Sequence, residues 1–390
     1  MTDNRFLAHY GEPVMTAKTK DPYLLTPGPL TTSAATKEAM LRDWGSRDEE
    51  FIAINAGVRR QLLAIANGES THVCVPLQGS GTFAVEATLG TLVPRRGKAL
   101  VLVNGAYGRR MAKILDYMKR PYVTLETAED TPPSPADVDA LLAGDGAISH
   151  VLAVHCETTS GILNPLGEIA AAAAGRGRAL IVDAMSAFGA IPLDLSQLPC
   201  DAVMASSNKC LEGVPGMGFS IIRQSALEAC RGNSPSLSLD LYDQWVAMEK
   251  NAQWRFTPPT HVIAAFAKAL QQFAAAGGVA GRHARYSENC RILVDGMREM
   301  GFETLLADDL QAPIIVTFRT PADANYNFET FYDSLRQRGF VIYPGKLTVA
   351  DTFRVGCIGD LDAEVIGRAL EAVRQTLKEM GVSNCTALAA

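Results

Sequence analysis

The 390-residue chain has no apolar run long enough to cross a membrane. Its apolar runs are strand-length and broken by Gly, Asn or charge. It has no Lys/Arg-rich block, and its net charge of −6 argues against a nucleic-acid surface. None of the eight cysteines stands in a CxxC pair, and the six histidines show neither HxxxH nor HExxH spacing. No metal site is therefore suggested. The N-terminal MTDNRFLAHYGEPVMTAKTK lacks the apolar centre of a signal peptide. Scattered cysteines of this kind read as reduced, mostly buried thiols, so a cytoplasmic protein is expected.

What the chain does have is alternation. From residue 71 onward, strand-like runs HVCVPLQ (72–78), ALVLVNG (99–105), YVTLE (122–126), HVLAVHCE (150–157), ALIVDA (179–184) and DAVMA (201–205) are separated mostly by helical stretches. Continuous apolar strands between helices predict a mostly parallel sheet covered on both faces. GFSIIR (218–223) closes the series as a hairpin or sheet-edge partner. After about residue 225 helices dominate. A second αβ pattern comes next in PIIVTF (313–318), a helix at 328–338, VIYPG (341–345), FRVGCIG (353–359) and a helix at 362–380. The expected organisation is an arm at 1–22, a large domain at 23–270 and a smaller α/β domain at 271–390.

Ligands in open parallel sheets bind at the carboxyl ends of the strands. Those ends supply Gly79–Thr82, Asn104–Tyr107, Glu157–Thr159, Asp183 and Ser206–Lys209. Lys209 alone reads as a surface lysine in a turn. At the end of a buried strand, however, a desolvated amine is a nucleophile suited to a Schiff base with an aldehyde cofactor. Asp183, ending ALIVD, serves either as a cap or as the partner of a protonated ring nitrogen.

Gly79-Ser80-Gly81-Thr82 joins a strand to a helix, where glycines and free N–H groups favour an anion. Gly79, Gly81 and Ala84 also fit a dinucleotide fingerprint. That reading needs an acid about 20 positions on, and no Asp or Glu lies between Glu86 and Asp116. No Lys-Ser/Thr follows the glycines, which excludes a nucleotide P-loop. Tyr107 is either an ordinary half-buried tyrosine or a ring that stacks on a cofactor. Thr158, Ser206 and Asn208 are weaker candidates for hydrogen bonds to the same group. Arg354, in TFRVG, reads as a salt-bridged arginine or as a fork for an anion. Trp44 and Arg47, in DWGSRDEEF, are further candidates at the substrate mouth.

These residues sit in longer stretches: LLTPGPLTTS (24–33), DWGS (43–46), THVCVPLQGSGTFAVEA (71–87), VLVNGAYGRR (101–110), HCETTSGILNPL (155–166), IVDAMSAFGA (181–190), ASSNKCLEGVPGMGF (205–219) and FRVGCIGD (353–360). In them the chain resembles the class V aminotransferases of the fold type I pyridoxal phosphate enzymes. CVPLQGSGTFAVEA and SSNKCLEGVPG are similar to the branch acting on 2-aminoethylphosphonate and pyruvate. The resemblance implies the fold type I architecture, with a mostly parallel seven-stranded sheet in the large domain. It implies pyridoxal 5'-phosphate joined to Lys209, with Asp183 at the ring nitrogen. Ser80, Gly81, Thr82, Ser206 and Asn208 are then expected near the phosphate, Tyr107 against the ring, and Thr158 at the ring oxygen. Arg354 is expected to grip the acidic end of both small-molecule substrates, with Trp44 and Arg47 nearby. A homodimer is implied, in which Thr257 reaches the partner's phosphate. An alanine– or serine–glyoxylate aminotransferase is the nearer alternative, and a non-catalytic binding protein on the same fold the more distant one.

Overall fold

Seven of the β-rich runs pair into one sheet in the computed structural model, which describes residues 21–346 and 350–387. In chain order they are β1 (His72–Gln78), β2 (Lys98–Val103), β3 (Tyr122–Glu126), β4 (Ile148–Val154), β5 (Ala179–Asp183), β6 (Ala202–Ser206) and β7 (Met217–Arg223). They lie side by side as β1-β7-β6-β5-β4-β2-β3. Neighbours are parallel except β7, which runs antiparallel to both β6 and β1.

GFSIIR is thus the hairpin partner of β6 but not an edge. Its side chains are buried along almost its whole length, and such a strand needs cover on both faces and neighbours on both sides. The carboxyl ends of β1, β2, β4, β5 and β6 share one edge of the sheet, where β7 begins. The β4 strand stops at Val154, earlier than its apolar run suggests. Cys156–Glu157 instead pairs with Ile162–Leu163 in a small ribbon of its own.

Helices cover both faces of the sheet. One face meets the helix Glu49–Ile65 and the helix Thr260–Ala275 in a core holding Leu62, Val182, Val203, Phe219 and Phe266. The other meets the helices Gly81–Leu92 and Ala106–Tyr117 around Leu89, Val101, Met111 and Ile181. Each fully buried Val, Ile, Leu or Phe contributes roughly 1.5–3 kcal/mol. Local signals start the helices. Ser33 accepts from Thr36 N at 3.1 Å, Ser134 from Asp137 N at 3.3 Å and Asp362 from Val365 N at 2.9 Å.

The chain passes to a separate core at Gly277–Gly278, both left-handed, just beyond the boundary read at 270. There β8 (Ile315–Arg319), β9 (Tyr343–Pro344) and β10 (Thr352–Gly356) form an antiparallel sheet in the order β8-β10-β9. The helices Gly278–Glu299, Phe328–Gln337 and Ala363–Met380 pack with it around Phe331, Phe353 and Ile366.

Residues 1–20 of the expected arm lie outside the described residues. The segment just past the arm joins this second layer: Tyr23–Leu24 pairs with Phe340–Val341, and Leu25 enters the same core. All eight cysteines are free, and all but Cys230 are buried. Among the described residues no single helix is long and apolar enough to cross a membrane, and no three His, Cys, Asp or Glu side chains converge as metal ligands do.

Candidate active site

A cavity of about 530 Å3 opens at the carboxyl edge of the large sheet. Ser80, Gly81, Thr82, Tyr107, Asp183, Ser206, Asn208 and Lys209 all line it. With Val154 and Cys156 from the end of β4, five strand ends well apart in sequence meet at this edge.

Lys209 is presented by a tied loop. Ser207 N donates to Met217 O at 3.0 Å, Ser207 Oγ donates to Val214 O at 2.6 Å, and Gly213 N donates back to Ser207 O at 2.7 Å. The Lys209 side chain crosses Gly28 of the TPGP turn. A Cβ there would lie 2.5 Å from Lys209 Cδ, and φ is +111°, so only glycine fits. Its Nζ donates to Pro27 O at 2.7 Å and Gly28 O at 3.3 Å, two neutral acceptors. Burial pulls its pKa below the usual lysine value; Tyr107, Cys210 and Asp183 pull the other way.

Asp183 ends β5 and is buried. Its Oδ1 accepts from Met185 N at 3.0 Å. Burial raises its carboxyl pKa, and the Met185 N–H, Arg110 and Lys209 only partly offset this.

Ser80 caps the helix Gly81–Leu92 with its backbone alone, so its hydroxyl makes no capping bond. The first N–H groups of that helix face the cavity edge as an anion cradle. A Cβ on Gly81 would come within 2.3 Å of Met185 Sδ, so any larger residue there would displace the end of that side chain. Ser206 Oγ is buried with no hydrogen-bond partner. An orphaned buried hydroxyl on a cavity wall marks a place for a polar ligand.

Tyr107 sits in the first turn of the helix Ala106–Tyr117, which begins three residues before the run RRMAKILDYM (109–118) whose pattern predicts a helix. Glu157 explains the early start. Its buried carboxylate accepts from Tyr107 N at 3.0 Å, Gly108 N at 3.4 Å and Thr159 N at 3.2 Å, and from the Thr159 hydroxyl. It thus satisfies the helix's first donors and fixes the tyrosine's direction. Burial alone would raise the Tyr107 phenol. Lys209, the Thr158 hydroxyl, Lys346 and Arg110 outweigh burial, and the pKa is lowered.

Arg354, in the middle of β10, is buried. It donates through Nε to Pro344 O at 3.1 Å and through Nη1 to Thr158 O at 2.9 Å, and its guanidinium lies 5.8 Å from the Tyr343 ring centroid. Among the described residues no carboxylate pairs with it.

Five expected residues do not line this cavity within one chain: Thr158 and Arg354, which reach Tyr107 on its wall, and Trp44, Arg47 and Thr257, which lie apart. Trp44 packs against Phe51 with ring centroids 6.4 Å apart, and Arg42 covers it at 4.0 Å. Arg47 and Thr257 share a different depression of about 380 Å3, together with Arg255 and Phe256. Arg110, Met185 and Lys346 escape a reading of strand ends. Arg110 lies one helical turn beyond Tyr107, donates to Thr82 Oγ1 at 3.1 Å and stands 4.7 Å from the Tyr107 ring centroid.

Residues 33–353 match the family model described as "Aminotransferase class-V". The chain is 58% identical over 361 residues to the 2-aminoethylphosphonate–pyruvate transaminase of Pseudomonas putida GB-1, covering 93% of this chain and 98% of that one. It is 57% identical over 367 residues to 2-aminoethylphosphonate–pyruvate transaminase 1 of Polaromonas sp. JS666, with the same coverage. In fold it is similar to the alanine–glyoxylate aminotransferase of Nostoc sp., with a TM-score of 0.86 at 22% identity over 97% of this chain and 99% of that one. The pyridoxamine–pyruvate aminotransferase of Mesorhizobium loti superposes with a TM-score of 0.85 at 23% identity, over 93% and 94% of the two chains.

Proposed function

The chain belongs to the class V aminotransferase family, and from that premise we propose that it moves the amino group of 2-aminoethylphosphonate to pyruvate, giving phosphonoacetaldehyde and L-alanine. The observation that carries the choice of substrates is 58% identity, over 93% of the chain, to relatives bearing that name. The cavity is compatible with the family's cofactor, pyridoxal 5'-phosphate. Its walls offer an orphaned hydroxyl on Ser206, a helix N-terminus behind Ser80 and a buried acid beside a desolvated lysine.

Bound pyridoxal phosphate supplies an aldehyde carbon and a ring that stores the electron pair released at the donor carbon. The chain's own groups do the rest. Lys209 Nζ would hold the cofactor, and with its ammonium form disfavoured by burial it would serve as the base for the proton of the donor carbon. Asp183 would be the partner of the protonated ring nitrogen. Ser80, Gly81, Thr82, Ser206 and Asn208 would hold the phosphate, and Tyr107 and Thr158 would be the residues toward the ring. Arg354 binds the phosphonate of the donor and then the carboxylate of pyruvate, so one cation serves both halves.

A homodimer and a cytoplasmic location belong to the same proposal. Phe83, Leu237 and Phe256 are large apolar side chains left half or more exposed, and Thr257 and Arg47 lie beside Phe256. A partner subunit covering that patch would bring Thr257, Arg47 and Trp44 toward a neighbouring cavity; light scattering of the purified protein tests the assembly. Free, mostly buried cysteines suit a reducing compartment.

The deciding experiment is alanine formation from pyruvate with 2-aminoethylphosphonate as donor, run beside alanine and serine with glyoxylate. Faster turnover with the phosphonate pair is expected. Preference for a glyoxylate pair would move the chain to another branch of the family.

A further inference from the structure

Four cations act on the Tyr107 ring or its hydroxyl: Lys209, Arg110, Lys346 and Arg354. Two have tasks already. Lys209 is the amine at the strand end, and Arg110 is tied to Thr82 in the phosphate cradle. Arg354 and Lys346 remain, both carried by the smaller sheet and the turn beside it and both acting on Tyr107, which lines the cavity.

Their closeness comes from register. Tyr343 pairs with Arg354 and Pro344 with Phe353. Arg354 Nε donates to Pro344 O, and two residues further on comes Lys346. Gly345 N donates to Thr352 O at 2.8 Å, and a Cβ on Gly345 would fall 2.3 Å from that oxygen. The chain therefore turns tightly at Gly345, and Lys346 follows directly after the turn. Lys346 Nζ stands 4.7 Å from the Tyr107 ring centroid. Among the described residues no carboxylate lies within ion-pair distance of Lys346 or Arg354, and Glu157 acts on Arg354 only from further off.

We propose that Lys346 is the second cation of the substrate-anion subsite, acting beside Arg354 to favour a doubly charged phosphonate over a carboxylate. The inference rests on the assignment of 2-aminoethylphosphonate as donor. A carboxylate presents two oxygens in a plane and one charge, which the Arg354 fork satisfies alone. A phosphonate has a third oxygen and a second charge. A lysine is a mobile point charge that can reach that oxygen without a fixed angle. Lys346 is exposed and contacts an aromatic ring, and among the described residues engaging it breaks no salt bridge.

The test uses the full-length holoenzyme and its K346M, K346Q and K346R variants. Two donor half-reactions are followed separately by cofactor absorbance, one with 2-aminoethylphosphonate and one with L-alanine. Competitive inhibition by ethylphosphonate and by propionate is measured alongside. In K346M and K346Q, kcat/KM for 2-aminoethylphosphonate and the affinity for ethylphosphonate should both fall about tenfold, with the alanine and propionate values changing less than about threefold. K346R should recover most of the loss. Equal losses for phosphonate and carboxylate, or none for either, in variants with wild-type thermal midpoints would overturn the proposal while leaving the function standing. A wild-type enzyme that transaminates alanine but ignores 2-aminoethylphosphonate would overturn both.

Discussion

Two regions beside Lys209 bury arginine in opposite ways. Three residues past the lysine, Glu212 accepts from Arg282, from Arg285 and from the Tyr286 hydroxyl, the last at 2.6 Å. Tyr286 accepts in turn from Gly359 N at 3.3 Å, and Arg285 donates to Gly359 O at 3.2 Å. That network centres on one carboxylate inside the protein, which both arginines share, and it joins the lysine loop to the chain just past β10. Arg354, three residues before Cys357 on the same stretch, is about as buried, at 6% exposed against 2% for Arg282, yet it meets only two carbonyls.

The lack of a carboxylate is not diagnostic by itself. Arg120 also lacks one, but it meets Leu89 O and Gly90 O near the carboxyl end of a helix, where the dipole stands in for the charge. Arg354 lies in mid-strand, and only Tyr107, Tyr343 and Glu157 favour its charge from beyond hydrogen-bond range. A buried cation left open beside a cavity is a place where the fold accepts cost so that a ligand can complete it.

The sharpest way to break this contrast is to remove the groups themselves. Lys209→Ala should lower turnover by about a thousandfold or more and erase the cofactor's lysine-bound visible absorbance, with little change in thermal midpoint. Full activity in that variant would remove the central assignment. Glu212→Ala should do the reverse. It strands two arginines and should cost about 3–5 kcal/mol of stability, read from the denaturant midpoint. A wild-type midpoint would mean that the shared network is ornamental. Arg354→Lys keeps the charge but loses the fork. It should lower kcat/KM for both substrates by about 10–100-fold while stability stays near wild type. An unchanged Michaelis constant for each substrate would reduce Arg354 to packing.

The same division separates the features legible in the sequence from those that were not. Gly79–Thr82, Tyr107, Asp183 and Lys209 end apolar strands, and a parallel sheet brings such ends together whatever the helices between them do. Arg110 depends on a helix that starts at Ala106, and that start depends on Glu157, whose partners lie about 50 residues away. Lys346 depends on the register between Tyr343–Pro344 and Phe353–Arg354, which two short strands do not announce. GFSIIR was readable as a hairpin strand, but its interior position was not, because β1 closes over it from the far end of the domain. Trp44 and Arg47 were read from a polar loop and Thr257 from resemblance alone; within one chain Arg47 and Thr257 share another depression and Trp44 packs on Phe51.

The smallest expected effect differs in sign from the others. Asp183 is buried without a cationic hydrogen-bond partner, and burial raises its pKa from the ordinary value of 3.8. In the folded chain it therefore keeps its proton to higher pH than in the unfolded chain. The folded state binds more protons over that interval, so its stability is fullest below 3.8 and declines as pH rises through the folded pKa. Asn cannot ionise, and its side-chain oxygen still accepts from Met185 N. In cofactor-free protein, Asp183→Asn should be slightly more stable than wild type at neutral pH, and its urea midpoint should fall less steeply as pH is raised. The loaded variant should meanwhile lose rate more than cofactor affinity, since the ring nitrogen loses its proton-holding partner. Parallel midpoint curves for the two proteins would mean that Asp183 is already neutralised from within, as Glu212 neutralises Arg282, and would move it to the Glu212 side of the comparison.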